Sequence, residues 1–147
     1  MSSFKIFDVA GSGLSAQSVR LNTVASNLAN ADSVSGDPAN VYKARHPVFQ
    51  AVQAAMGSLA GPAVPGAASG SASAVRVSGI VESQAPPTVR NDPGNPLADA
   101  QGNVYAPNVN VIEEMSDMIS ASRAYQDNVE VMSTAKDLML ATLKLGQ

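Results

Sequence analysis

Residues 109–147 read VNVIEEMSDMISASRAYQDNVEVMSTAKDLMLATLKLGQ, and the fold turns on how this run is read. Alternating steps of four and three residues visit Val111, Met115, Met118, Ser122, Tyr125, Val129, Met132, Lys136, Met139 and Leu143, of which eight in ten are apolar. Glu, Asp, Ser, Arg, Gln, Asn and Thr fill many of the positions between. That is the heptad period of a helix with one narrow apolar seam. Neither Gly nor Pro occurs between Asn108 and Leu145. The spacing therefore predicts one continuous helix of roughly 35 residues, about 50 Å long. Asn110 suits an N-cap, Glu113 follows three residues later as in a capping box, and Glu113 and Glu114 favour the positive helix end. Lys136, Lys144 and Gly146 suit the other end.

A helix this long with so narrow a seam needs a partner, because most helical stability in water comes from packing an apolar face. Working outward, the best internal candidate lies at the other end of the chain. Phe7, Ala10, Leu14, Gln17, Leu21, Val24 and Leu28 repeat the three–four spacing and predict a second amphipathic helix from about Lys5 to Asn30. Gly11 and Gly13 weaken its first turns by about 1 kcal/mol each. Without a preceding strand or a third glycine they make a poor phosphate loop, so a close-approach site or joint is the better reading.

The middle of the chain carries weaker signals. Ala31–Asn40 is turn-rich, and Val41–Val52 reads as a strand or extended arm, with Val41, Tyr42, Val48, Phe49 and Val52 as candidates for burial and Pro47 keeping it at an edge or bending it. Met56–Ser73 is almost entirely Gly, Ala, Ser and Pro, a composition that predicts a flexible insert. A short strand is expected over Ala74–Ser83, with Gly79 as a bulge or bend. Asn91–Asn108 is dense in turn formers and predicts a small hairpin around Gln101–Gly102–Asn103. Asp92, Asn95, Asp99 and Asn103 lack the alternate spacing and closing Glu of a calcium loop.

The expected fold class is mainly α: long N- and C-terminal helices forming a coiled-coil-like hairpin, with a small β-containing, partly flexible middle region. The expected division is an N-terminal helix over 1–32, a middle region over 33–107 with its insert at 56–74, and the long helix over 108–147.

Composition narrows the function. The chain has 147 residues, three Phe, three Tyr, no Trp and no Cys, so its core is thin in the large residues that usually fill one. With a net charge of −3 and scattered Lys and Arg, nucleic acid is not an expected partner. No apolar run is long enough to span a membrane, and the start, Met1–Ser2–Ser3–Phe4–Lys5, does not resemble a cleaved secretory signal. A Cys nucleophile is absent, no motif pairs the lone His46 with a Ser or an acid, and no metal-ligand cluster or phosphate cradle stands out. An enzyme is not expected, nor a cofactor or metal.

Several blocks resemble a known family. Ser12–Gly13–Leu14–Ser15–Ala16–Gln17, then Leu21–Asn22 and Ala25–Ser26–Asn27–Leu28–Ala29–Asn30–Ala31, are similar to the N-terminal signature of bacterial flagellar rod proteins. Tyr42–Lys43–Ala44–Arg45 with Pro47–Val48–Phe49–Gln50 resembles that family's next block, and Asp92–Pro93–Gly94–Asn95–Pro96 resembles a stretch of its proximal-rod members. The most specific segments are Pro107–Asn108–Val109–Asn110–Val111 and Met118–Ile119–Ser120–Ala121–Ser122–Arg123–Ala124–Tyr125–Gln126.

The resemblance implies a structural subunit of the basal-body rod in the periplasm, exported by the flagellar type III machinery without a cleaved signal. It implies as partners copies of the same chain, neighbouring proximal and distal rod proteins, and the rod-ring adaptor at the membrane-embedded ring. The missing helix partner would then come from the polymer. Phe7, Leu14, Leu21, Val24, Leu28, Met115, Met118, Tyr125, Val129, Met132, Met139 and Leu143 are the expected helix-packing residues. The alternative is a helical adaptor or an export-chaperone-like binding module using the same hairpin for a foreign helix.

Overall fold

The computed structural model describes residues 3–53 and 73–145. The insert expected at 56–74 lies outside the described residues except for its last two. Two helices dominate: α1, Ser3–Asn30, and α2, Val111–Leu145. Between them lie a one-turn 3-10 helix at Pro38–Asn40 and four strands, β1 (Arg45–Gln53), β2 (Ser73–Glu82), β3 (Thr88–Asn91) and β4 (Asn103–Ala106). The strands form two separate antiparallel pairs, β1–β2 and β3–β4.

The helices run antiparallel. Asn27 near the end of α1 meets Glu114 near the start of α2, and Gly13 stands against Asn128. By that register Ser3 is level with about residue 138, so the last turns of α2 run past the described start of α1. Asn110 caps α2 as expected, its Oδ1 accepting from the Ile112 amide at 3.2 Å.

The helix–helix contact uses small and polar residues. On α2, Glu114, Ala121 and Ala135 are buried and Asn128 is half-buried, four positions spaced by heptads. On α1 the matching row includes Ala10, Gly13, Arg20, Val24 and Asn27. Small side chains bring the two backbones close. A Cβ added at Gly13 would lie 2.9 Å from Asn128 Oδ1, whereas one added at Gly11 meets nothing within 4 Å among the described residues. Of the two expected roles for this glycine pair, close approach is therefore the role of Gly13. Gly13→Val is expected to destabilise the chain by about 1–3 kcal/mol through overpacking, and Gly11→Ala to stabilise it by about 0.5–1 kcal/mol. Thermal unfolding of the two variants checks the contrast.

The β1–β2 ribbon lies on a second face of α1, where the Val75 amide donates to Ser12 Oγ at 3.1 Å. Its register shifts between Val48 and Phe49, with Ser78 as the extra residue beside Gly79 and its hydroxyl donating to the Val48 carbonyl at 3.1 Å. β1 begins at Arg45, later than the Val41 of the sequence reading. Asp37 caps the 3-10 helix by accepting from the Ala39 amide, which carries the chain through a turn first. Val41 is buried, but Val48, Phe49 and Val52 are exposed; Val48 and Phe49 point to opposite faces of the strand, so neither face of the ribbon is fully covered there.

Candidate assembly surfaces

Asn27 joins the three parts of the molecule. It is fully buried, and both ends of its amide are used. Nδ2 donates to Glu114 Oε1 at 2.8 Å and to the Arg45 carbonyl at 2.9 Å. Oδ1 accepts from the Tyr42 hydroxyl at 2.8 Å and the Arg45 amide at 2.9 Å. One side chain thus ties α1 to the first turn of α2 and to the entry of β1. Beside it, Arg20 Nη2 pairs with Asp117 Oδ1 at 2.7 Å, a part-exposed ion pair of modest value.

The β3–β4 hairpin delivers the chain to α2. Gly102 turns with φ +80° just before β4, and a Cβ there would press on the Pro93 ring. Val104 is buried beneath it, and Tyr105 exchanges two backbone hydrogen bonds with Ser35, tying the hairpin to the linker after α1. Asp99 accepts from the amides of Gln101 and Asn103 and from the Tyr105 hydroxyl, so its carboxylate is spent on the turn.

The Asn103 backbone hydrogen bond holds the Asp99 carboxyl below the ordinary carboxylate range, against desolvation that raises it; Gln101 and Tyr105 add to the lowering. A depressed folded-state value means this contribution is present at neutral pH and is lost as pH falls through that value. On acidification from about pH 5 to about pH 2, the Gln101 and Asn103 amide resonances are expected to move with a midpoint below the unperturbed Asp value of about 3.9. The transition should vanish in Asp99→Asn.

Within the chain the expected packing residues divide into two groups. Val24 is buried, and Phe7, Leu14, Leu21, Leu28, Met118, Met132 and Met139 are half-buried. Met115, Tyr125, Val129 and Leu143 are exposed, Val129 by 45% and Leu143 by 67%. The row against α1 falls one residue before the Met115–Ser122–Val129 column, on Glu114, Ala121 and Asn128. Asn27, Glu114, Ala121 and Ala135 were not among the expected packing residues; their heptad spacing was visible, but their size and polarity were not those of an apolar seam.

This offset leaves a second stripe uncovered. Ile112, Met115, Ile119, Val129, Leu140 and Leu143 are exposed, and heptad geometry places them about 100° to 155° round α2 from the row that meets α1. On the other side of that row, a shallow groove of about 470 Å³ opens between Ile6 and the C-terminal half of α2, with Val131, Ala135 and Leu138 along it and Asp127 and Glu130 at its edge. No helix among the described residues is long and apolar enough to cross a membrane. No group of three or more His, Asp or Glu among them is placed to hold a metal.

Comparison with known proteins gives consistent matches at both ends and over the full length. Residues 7–36 match the family described as "Flagella basal body rod protein", and residues 100–145 match "Flagellar basal body rod FlgEFG protein C-terminal". The chain is 53% identical to the flagellar basal-body rod protein FlgC of Escherichia coli O6:H1 and 52% identical to that of Salmonella typhimurium strain LT2, over 100% of both chains in each case. It is 34% identical to the FlgC protein of Bacillus subtilis strain 168, again over the whole of both chains.

Proposed function

This chain belongs to the FlgC family of flagellar basal-body rod proteins, and on that premise we propose that it polymerises through its terminal helices into the proximal rod. It is a structural subunit of the basal body, not an enzyme. The observation that supports polymerisation is the uncovered stripe of α2. Six large apolar side chains in register on one helix face form the kind of surface that another helix covers.

In this reading α1 and α2 stand along the shaft axis, and each stripe packs, coiled-coil fashion, on a helix of a neighbouring subunit. Torque is then resisted by many buried side-chain rows in parallel rather than by single chains. The assembly residues are those named from the sequence, with Met115, Tyr125, Val129 and Leu143 facing neighbours and Val24 and Met118 holding the hairpin. Residues 1–32 and 108–147 form the shaft element, and residues 33–107 form a middle region on its flank. Neighbours are copies of the chain, the other proximal and distal rod proteins, and the ring adaptor. The subunit reaches the periplasm through the flagellar type III apparatus.

The test is composition. Hook–basal bodies purified from cells carrying a tagged chain should contain it in fixed ratio to the other rod proteins, and deletion of the chain should abolish rod and hook. A chain found instead in the cytosol, bound to one export substrate, would favour the adaptor reading.

A further inference from the structure

A polar cleft of about 300 Å³ lies beside the Asn27–Glu114 hydrogen bond, and its walls include His46, Ser83, Asn108, Glu113, Glu114 and Asp117. Glu114 is only 6% exposed. Its Oε1 is engaged by Asn27, while Oε2 is buried and accepts from no donor among the described residues. A buried carboxylate with one oxygen unpaired is costly, and such a group calls for a partner.

The nearby guanidiniums are already engaged: Arg20 pairs with Asp117 and Arg45 with Glu82. Asn108 Nδ2 donates to Ser83 Oγ at 3.3 Å. Three carboxylates, Glu113, Glu114 and Asp117, therefore line the cleft, and of these only Asp117 is paired with a guanidinium, that of Arg20. We infer that this cleft receives an arginine side chain from an adjoining subunit, whose guanidinium supplies the donor that Glu114 Oε2 lacks. The inference rests on the chain being a polymerising rod subunit.

The chemistry favours a guanidinium over the other cations. No three ligating side chains among the described residues converge as a metal needs, and the cleft is sized for a side chain rather than an ion. The acceptors of Glu113, Glu114 and Asp117 are spread along the wall, which suits a planar fork of five donors that stays charged when desolvated. Arg76, Arg90 and Arg123 are exposed, so a second copy of the chain carries such groups on its surface.

Glu114→Gln tests this, because it keeps an acceptor for Asn27 while it removes the charge and turns the other oxygen into an NH2 donor that repels a guanidinium. The isolated variant is expected to melt within about 2 °C of the parent chain, a shift below that of a 1 kcal/mol change. Purified hook–basal bodies carrying Glu114→Gln are expected to lose their rods at least about tenfold faster in raised salt, as when one partner of a buried charge pair is removed. The parent assemblies should be indifferent to EDTA. Equal rod lifetimes would overturn the inference, as would a melting temperature lowered as far as by Asn27→Ala, which would make the charge a requirement of the fold itself. Shortened parent lifetimes in EDTA would make the occupant a divalent cation and also overturn it. Absence of the parent chain from purified rods would defeat the rod reading and, with it, this one.

Discussion

Asn27→Ala is expected to destabilise the isolated chain by about 3–5 kcal/mol, a large share of the roughly 5–15 kcal/mol available to a small protein. The truncation removes the donor to Glu114 Oε1 and the partner of both the Arg45 amide and carbonyl, and it leaves the Tyr42 hydroxyl with Ser26 Oγ alone. Glu114 would then keep a buried charge with neither oxygen bonded to protein. Neither water nor a shift of α2 easily repairs this, because Asn27 is fully buried. Asn30→Ala makes the control. Among the described residues the Asn30 side chain bonds only to the Ser26 carbonyl of its own helix, and Asn30 is half-buried, so its loss should cost less than about 1 kcal/mol. Urea unfolding followed by circular dichroism reads both. Equal small losses would mean that the helices hold together without the polar link.

The second large effect is expected in the assembly and not in the isolated chain. Val129 is 45% exposed, so Val129→Asp should change the stability of the free subunit by no more than about 0.5 kcal/mol. In a rod that buries this stripe, the same change puts a charge into a desolvated contact and costs several kcal/mol per subunit. Cells carrying Val129→Asp are expected to export the subunit, fail to complete the rod and lose motility. Glu130→Lys, one residue along and at the edge of the groove, should leave motility nearly intact. Similar mild effects from both changes would argue against the stripe as the assembly surface.

The helices were legible because their signals are local and repeated. Period, the absence of Gly and Pro, and the Asn110 cap mark α2 without reference to the rest of the chain. The β2 strand and its irregularity at Gly79 were legible for the same reason. The row joining the helices was not. Counting apolar residues favours Met115 and Val129, but the close contact goes to Ala121, Asn128 and Ala135, because small residues let backbones approach. The Asn27 network was hidden for a different reason. Its partners Tyr42, Arg45 and Glu114 lie 15 to 87 residues away, and no period or motif of hydrogen-bonding chemistry connects them. The large side chains that looked like the internal seam are partly those the hairpin leaves free. A pattern written for packing thus makes one contact within the chain and leaves a second stripe exposed, which the proposed rod contact would cover.

The most direct test of that second contact is an electron cryo-microscopy map of the basal body with this chain traced through the rod. The account predicts that Ile112, Met115, Ile119 and Val129 lie in van der Waals contact, within about 4 Å, with a helix of another subunit. It further predicts that Glu114, Ala121 and Ala135 remain against α1 of the same chain. A rod in which the Met115–Val129 face of α2 meets solvent, with subunits joined through the β ribbon alone, would contradict it.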